Sequence, residues 1–305
     1  MQGLILLNKP QGITSFSAVS RLKRLAHEKR VGHTGTLDPL ATGVLPVFFG
    51  RATALSGIML DADKGYTATV QLGTVTDTCD ITGAVLQTNP VDVSTERLTD
   101  VLQGFLGETM QVPPMYSAIK KDGVRLYELA RKGQTVECEP RKITISRIEL
   151  LEFDGNTFKI SVDCSKGTYI RSLCRDIGEK LRCGAVMTEL VRTRAAGFDL
   201  GETVTLDELT EENISRYLLS EEVAVSHLKK LYVTEKQAIR FSNGGQLSYD
   251  RLKGASFADD ELLVVKHSDL FLGIGRADNE NRQVAIKCLI NPFVPAKEVF
   301  PEELP

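Results

Sequence analysis

Residues 32–50 read Gly-His-Thr-Gly-Thr-Leu-Asp-Pro-Leu-Ala-Thr-Gly-Val-Leu-Pro-Val-Phe-Phe-Gly, with four glycines, two prolines and neither a helical nor a two-residue period. Glycine opens backbone angles closed to other residues, and proline fixes one angle and removes a donor, so this stretch is an irregular loop. The apolar residues at its end, Val44 to Phe49, read as a buried strand. Whatever architecture surrounds it has to anchor that loop. Asp38 stands inside it, followed by Pro39 and flanked by the hydroxyls of Thr34 and Thr36. Those hydroxyls and free backbone N–H groups suit an ionised catalytic carboxylate; the same position equally suits a residue that caps a turn or helix. A mononucleotide loop is excluded, because the Lys-Ser/Thr of a P-loop is missing and no G-x-G-x-x-G precedes a helix.

Around this loop the chain alternates strands and helices. Gly3 to Pro10 is a short apolar run stopped by Asn8 and Pro10, which predicts a buried strand. From Ser15, apolar residues at Phe16, Val19, Leu22 and Leu25 predict an amphipathic helix opened by a serine cap, with Arg21, Lys23, Arg24, Lys29 and Arg30 on its other face. That face is either a solvated one or a phosphate-binding one. Tyr66 to Leu72 alternates strictly and predicts a half-exposed antiparallel strand with Tyr66 inward. A helix is expected from Ser94 to near Gly107 and another over Val124 to Lys132. A hairpin of Ile143 to Phe153 and Thr157 to Cys164 turns at Asp154-Gly155-Asn156, and a helix follows from Ile170 to Arg182. Beyond Gly201 the chain turns acidic around a short capped helix expected from Thr205, which marks the domain boundary. A small β-rich unit follows, with a capped helix from Thr234 and strands at Glu261 to Lys266, Leu270 to Arg276 and Gln283 to Leu289.

Composition narrows the class. With 305 residues, 42% hydrophobic and 25% charged, the chain is a folded protein of about two domains. No apolar stretch nears the ~18 residues of a membrane span, and the N-terminus lacks the pattern of a signal peptide, so a cytoplasmic protein is expected. The six cysteines form no C-x-x-C pair and the four histidines are scattered, which argues for buried reduced thiols and no metal site. The net charge of −3 hides an asymmetry: residues 1–200 hold 25 basic against 22 acidic side chains, and residues 201–305 hold 12 against 18. A polyanionic partner should therefore meet the first two thirds of the chain.

The run Gly32 to Pro46 resembles the signature of the TruB family of tRNA pseudouridine synthases. Four further segments agree with that family in order and spacing. They are Leu6-Leu7-Asn8-Lys9-Pro10; Leu72-Gly73-Thr74 through Asp80; Pro113-Pro114-Met115-Tyr116-Ser117-Ala118-Ile119-Lys120 continuing to Tyr127; and Lys166-Gly167-Thr168-Tyr169-Ile170-Arg171-Ser172-Leu173. The resemblance covers residues 3 to about 198, and Val191 departs from it where relatives often carry an arginine. It implies an α+β fold, in which a mixed or antiparallel-sheet pseudouridine synthase catalytic domain (1–222) precedes a β-rich PUA-like RNA-binding domain (223–305).

It further implies that Asp38 is the catalytic carboxylate and that no cofactor or metal is needed. His33 fills the space left by the flipped nucleotide, and Tyr66 and Tyr169 are site tyrosines. Arg171 pairs with Asp38, and Leu190 contributes to the apolar wall around the base. Lys9, Lys64, Lys120, Arg125 and Arg141 are expected to contact phosphates or to be ordinary surface charges. The substrate implied is the T-arm loop of tRNA at position 55, modified by a monomer without guide RNA. The alternatives are a guide-RNA-dependent ribosomal RNA enzyme and a non-catalytic tRNA-folding factor. A first motif at residue 3 leaves no room for a partner-binding extension, and the intact set of Asp38, Tyr66, Tyr169 and Arg171 has no use in a pure binder.

Overall fold

A computed structural model describes residues 1–294 apart from 61, 118, 122, 132, 135, 137, 253 and 255, and gives only the backbone of 120, 121, 125, 127 and 131. In chain order the strands of the first two thirds are β1 (Gly3–Lys9), β2 (Val31–His33), β3 (Thr42–Phe49), β4 (Lys64–Leu72), β5 (Thr74–Thr76), β6 (Val85–Thr88), β7 (Gly107–Gln111), β8 (Lys120–Lys121), β9 (Val124–Arg125), β10 (Arg141–Phe153), β11 (Thr157–Cys164), β12 (Ala185–Ala195), β13 (Phe198–Asp199) and β14 (Val204–Thr205). Helices α1 (Ser15–Leu25), α2 (Ser56–Met59), α3 (Thr95–Gln103), α4 (Leu126–Arg131) and α5 (Ile170–Leu181) lie between them. The C-terminal part adds β15 (Lys229–Tyr232), α6 (Glu235–Ser242), β16 (Leu247–Ser248), β17 (Leu262–His267), β18 (Leu270–Asp278) and β19 (Gln283–Leu289).

A mixed ten-stranded sheet runs in the order β14-β1-β3-β12-β4-β11-β10-β7, with β2 paired to β3 and β13 to β12. Within this sheet β1 with β14 and β3 with β12 are parallel and the other named pairs antiparallel. A second, five-stranded sheet has the order β15-β17-β18-β19-β16. The architecture is α+β with a β-rich C-terminal unit.

The alternation read in β4 is realised, with Tyr66, Ala68, Val70 and Leu72 buried in one core with Ile170, Leu173, Ile177 and Leu181 of α5. In β1 and β3 both faces are buried, which is why each reads as a continuous apolar run. Ile5, Leu7, Leu45, Val47 and Phe49 pack under α1 with Val19 and Leu22, while Leu4, Leu6, Val44 and Phe48 face the second sheet at Val264, Phe271, Ile274 and Ile290. The two sheets therefore share a core.

Several local expectations are corrected. The cap of α1 is Thr14, whose hydroxyl accepts from Ser17 N, because Ser15 is occupied with a neighbouring loop. Helix α3 stops at Gln103, where Gly104 caps it, and Phe105 and Leu106 lie past its end. No helix starts at Thr205; Glu208 accepts from the Thr205 amide and the chain turns there instead. Strand β12 carries no legible two-residue period, because register shifts against β4 between Met187 and Glu189 and between Arg192 and Arg194 break it. The six cysteines are free, with Cys164, Cys174 and Cys183 buried and the other three half-buried. Among the described residues no helix is long and apolar enough to cross a membrane.

Because Leu4, Leu6, Val44 and Phe48 are fully or almost fully covered, a chain ended at residue 225 would bare them. It should melt at a lower temperature than the full chain and bind a hydrophobic dye before it unfolds. Matching melting curves for the two chains would show that the first sheet completes its own core.

Candidate active site

The loop between β2 and β3 is fastened on several sides. Leu37 N donates to Ser15 Oγ at 2.8 Å, and Ser15 Oγ donates to Leu37 O at 3.0 Å, so the start of α1 grips the residue before Asp38. Gly12 N reaches Pro39 O at 2.8 Å, just after it, and Ala41 N closes a turn on Asp38 O at 3.1 Å. Leu37 and Ala41 are buried, and between them the Asp38 side chain stays 41% exposed. An irregular segment thus presents one carboxylate at a fixed place.

Arg171 meets it from the first turn of α5. Its Nη2 lies 2.8 Å from Asp38 Oδ2, and its Nη1 lies 3.6 Å from Asp80 Oδ2. The same nitrogens donate to Tyr116 O at 2.8 Å and Thr78 O at 3.2 Å. A cation at a helix N-terminus opposes the helix dipole, so the two carboxylates offset an unfavourable position. Tyr169, which precedes α5, is locked by Gln111, whose side-chain oxygen accepts from Tyr169 N at 2.8 Å while its amide donates to Tyr169 O at 3.1 Å. Asp80 is buried and accepts from Thr82 N, Thr82 Oγ1 and Thr78 Oγ1.

The electrostatic balance differs from the one expected from the Arg171 pairing alone. Burial raises the Asp38 pKa above the usual carboxylate value more than Arg171 lowers it, Asp80 adds to the rise, and Lys9 opposes it. Although the Asp38 side chain is partly exposed, the protein packed around it strips enough hydration for burial to be the largest effect. Burial also raises the Tyr66 phenol, with the charge of Arg192 opposing, and raises the Tyr169 phenol. The charge of Asp38 bears on both tyrosines. His33, on β2, is pushed below its ordinary value by burial and then by Arg192, which favours the neutral ring. Leu190 is buried on β12 opposite Ala68.

Of the five basic residues expected at phosphates, Lys9 is misplaced. Its side chain is 0% exposed and its Nζ donates to Pro10 O and Ile13 O at 2.8 Å, so it is an interior support of the turn beside Asp38 and not a surface contact. Burial lowers its pKa to about 8, with Asp38 opposing. Lys64 is half-buried and donates to Leu60 O and Ala62 O. Arg141 is exposed at the start of β10, and its charge bears on the Tyr169 phenol. The side chains of Lys120 and Arg125 lie outside the described residues. Two charged members of the site are not marked by the sequence pattern: Asp80, at the end of the segment Leu72 to Asp80, and Arg192, a buried residue of β12.

The profile described as TruB family pseudouridylate synthase (N terminal domain) matches residues 23–170, and that of the tRNA pseudouridylate synthase B C-terminal domain matches residues 171–231. A tRNA pseudouridine synthase B of Pseudomonas fluorescens Pf-5 is 46% identical over 289 residues, covering 92% of this chain and 93% of that one. The chain belongs to the TruB family. The tRNA pseudouridine synthase B of Clostridium tetani, another member, is 42% identical over 291 residues, covering 95% of this chain and all of that one. Among solved structures, a chain of a Cbf5-Nop10-Gar1 complex matches this TruB-family fold with a TM-score of 0.74 at 28% identity, covering 96% of this chain and 85% of that one.

The raised pKa of Asp38 has a consequence for stability. Between the ordinary carboxylate value of about 3.9 and the higher folded value, the folded chain binds more protons than the unfolded one, so stability falls as pH rises through that window. Asp38→Asn, which mimics the protonated form, should raise the melting temperature slightly at pH 7, and the gain should vanish below pH ~4. A variant less stable than the parent at pH 7 would show that the Arg171 pair outweighs burial.

Proposed function

We propose that this chain isomerises uridine to pseudouridine in the T-arm loop of tRNA, at position 55, as a stand-alone monomer in the cytoplasm that needs no guide RNA. The observation that carries the reading is the Asp38–Arg171 pair at 2.8 Å, with the Asp38 side chain partly open to solvent and its charge felt by Tyr66 and Tyr169, in a TruB-family chain. The tRNA reading rests on relatives named tRNA pseudouridine synthase B at 42–46% identity, against 27–28% for the chains of the Cbf5-containing and H/ACA complexes.

The reaction breaks the bond from C1′ to N1 of uracil, turns the base and joins C1′ to C5, moving one hydrogen from C5 to N1. Both routes open to Asp38, attack at C1′ and removal of a ribose proton, require an ionised carboxylate that can approach the sugar. Arg171 offsets part of the effect of burial on it and aims it. The base must first leave its stack at a cost of a few kcal/mol, and we assign His33 to the vacated space. The buried atoms His33 Nδ1 and Thr34 Oγ1 have no hydrogen-bond partner among the described residues, as suits a wall that substrate completes. Tyr66 and Leu190 offer a ring and an apolar side chain to the base. Residues 223–305 are read as a PUA-like RNA-binding domain, and Arg141, Lys64, Lys120 and Arg125 remain candidate phosphate contacts.

The test is to incubate the purified chain with a T-arm stem-loop transcript, without guide RNA, and to map pseudouridine. One pseudouridine in the loop is expected, and none from Asp38→Asn despite RNA affinity within a few-fold of the parent. An unmodified transcript, or turnover by the Asp38→Asn chain, would overturn the reading. Arg171→Lys replaces a planar fork with a point donor and should lower the single-turnover rate by about 100-fold, roughly 2.7 kcal/mol of barrier. Asp80→Asn removes a charge that raises the Asp38 pKa, so the acid limb of the rate should move to lower pH; a limb that stays in place would exclude Asp80 from the balance.

A further inference from the structure

Arg192 is 1% exposed, yet its interactions are those of a brace and not of an ion pair. Its Nε donates to Val44 O at 2.8 Å and its Nη2 to Gly35 O at 2.9 Å. These carbonyls stand on either side of Asp38 in the chain, so one guanidinium ties the two ends of the loop together. Besides these two carbonyls, Arg192 interacts with the Tyr66 phenol, through its charge and a side-chain hydrogen bond, and, among the described residues, with no carboxylate. A buried cation without a carboxylate partner is costly, and an apolar side chain of similar volume would fill the space without that penalty. What a hydrocarbon cannot do is hold two carbonyls at a fixed separation.

The loop is also shaped to receive it. At Gly43, with φ +103°, a Cβ would stand 2.2 Å from Arg192 O, where β3 and β12 pair in parallel. At Gly35, with φ +74°, a Cβ would come within 3.1 Å of Arg192 Nη1. Both glycines therefore serve close approach as well as a backbone conformation other residues rarely adopt. The charge of Arg192 is felt by His33, Lys9 and Tyr66, which surround the same loop.

We propose that Arg192 is a positioning residue of the reaction, which fixes the loop between Gly35 and Val44 so that Asp38 stays aimed at Arg171 and at the substrate. This rests on the proposed uridine isomerisation for its kinetic part, and on the structure alone for its mechanical part. Arg192→Lys keeps the charge but reaches one carbonyl at most. Arg192→Met keeps the packing and neither bond.

The experiment pairs single-turnover kinetics on a T-arm stem-loop with hydrogen exchange of the full chain without RNA. In both variants the rate should fall at least about 30-fold with RNA affinity within about threefold, the split expected of lost aim rather than lost binding. Exchange of the amides of residues 34–43 should quicken about tenfold or more while that of β10 and β11 is unchanged, as for a local opening. Arg192→Lys should retain more activity than Arg192→Met. A folded Arg192→Met chain with the parent rate and parent exchange would overturn the proposal, as would exchange that quickens evenly over the whole chain. If the parent itself makes no pseudouridine, the functional reading fails while the exchange result still decides whether Arg192 braces the loop.

Discussion

An irregular loop can aim a charged side chain only if both of its ends are immobile, and here that depends on β3 being buried on both faces. Leu45, Val47 and Phe49 are held under α1 and Val44 and Phe48 under the second sheet. The strand then passes its rigidity to the loop through Arg192, which bonds Val44 O and Gly35 O, and through Ser15, which bonds Leu37. A dense interior transmits position in this way because it has few ways to yield.

The electrostatics of the site are a contest that no single pair decides. Asp38 and Asp80 share one arginine, the charge of Lys9 bears on Asp38 and that of Arg192 on Lys9 and His33, and burial shifts Asp38, Lys9, His33 and Arg192. The outcome for Asp38 is a carboxylate less acidic than usual, held in place by a fork of donors that also bonds two backbone carbonyls. Such a group is stabilised less by its own surroundings than a surface carboxylate would be.

Much of the frame was legible because local rules were enough. The alternation of β4, the hairpin at Asp154-Gly155-Asn156, the α5 periodicity and the capping box at Thr234 with Gln237 all rest on contacts within a few residues, and all are present. The errors lie where a distant partner overrides the local preference. Ser15 would cap α1 on its own, but Leu37 takes its hydroxyl and Thr14 caps instead. Lys9 has the composition of a surface cation, but the turn carbonyls of Pro10 and Ile13 draw its ammonium inside. Strand β12 lost its alternation to two register shifts and so hid its most buried charge.

By itself the sequence determined the loop that carries Asp38, the positions at which the chain must turn, the apolar faces of its helices and strands, and the family through co-linear motifs. The Asp38–Arg171 pair was implied by the resemblance and is present, but the tertiary structure alone decided that Asp80 and Arg192 join the site and which way the Asp38 balance falls. Asp38, Asp80, Arg171 and Arg192 come from four separate segments, and the sign of the Asp38 shift depends on burial and on distances of about 3–4 Å that no local pattern encodes. Coulomb and desolvation energies follow from where side chains end up in space, and only the packing of β3, β12 and α5 against one another sets that.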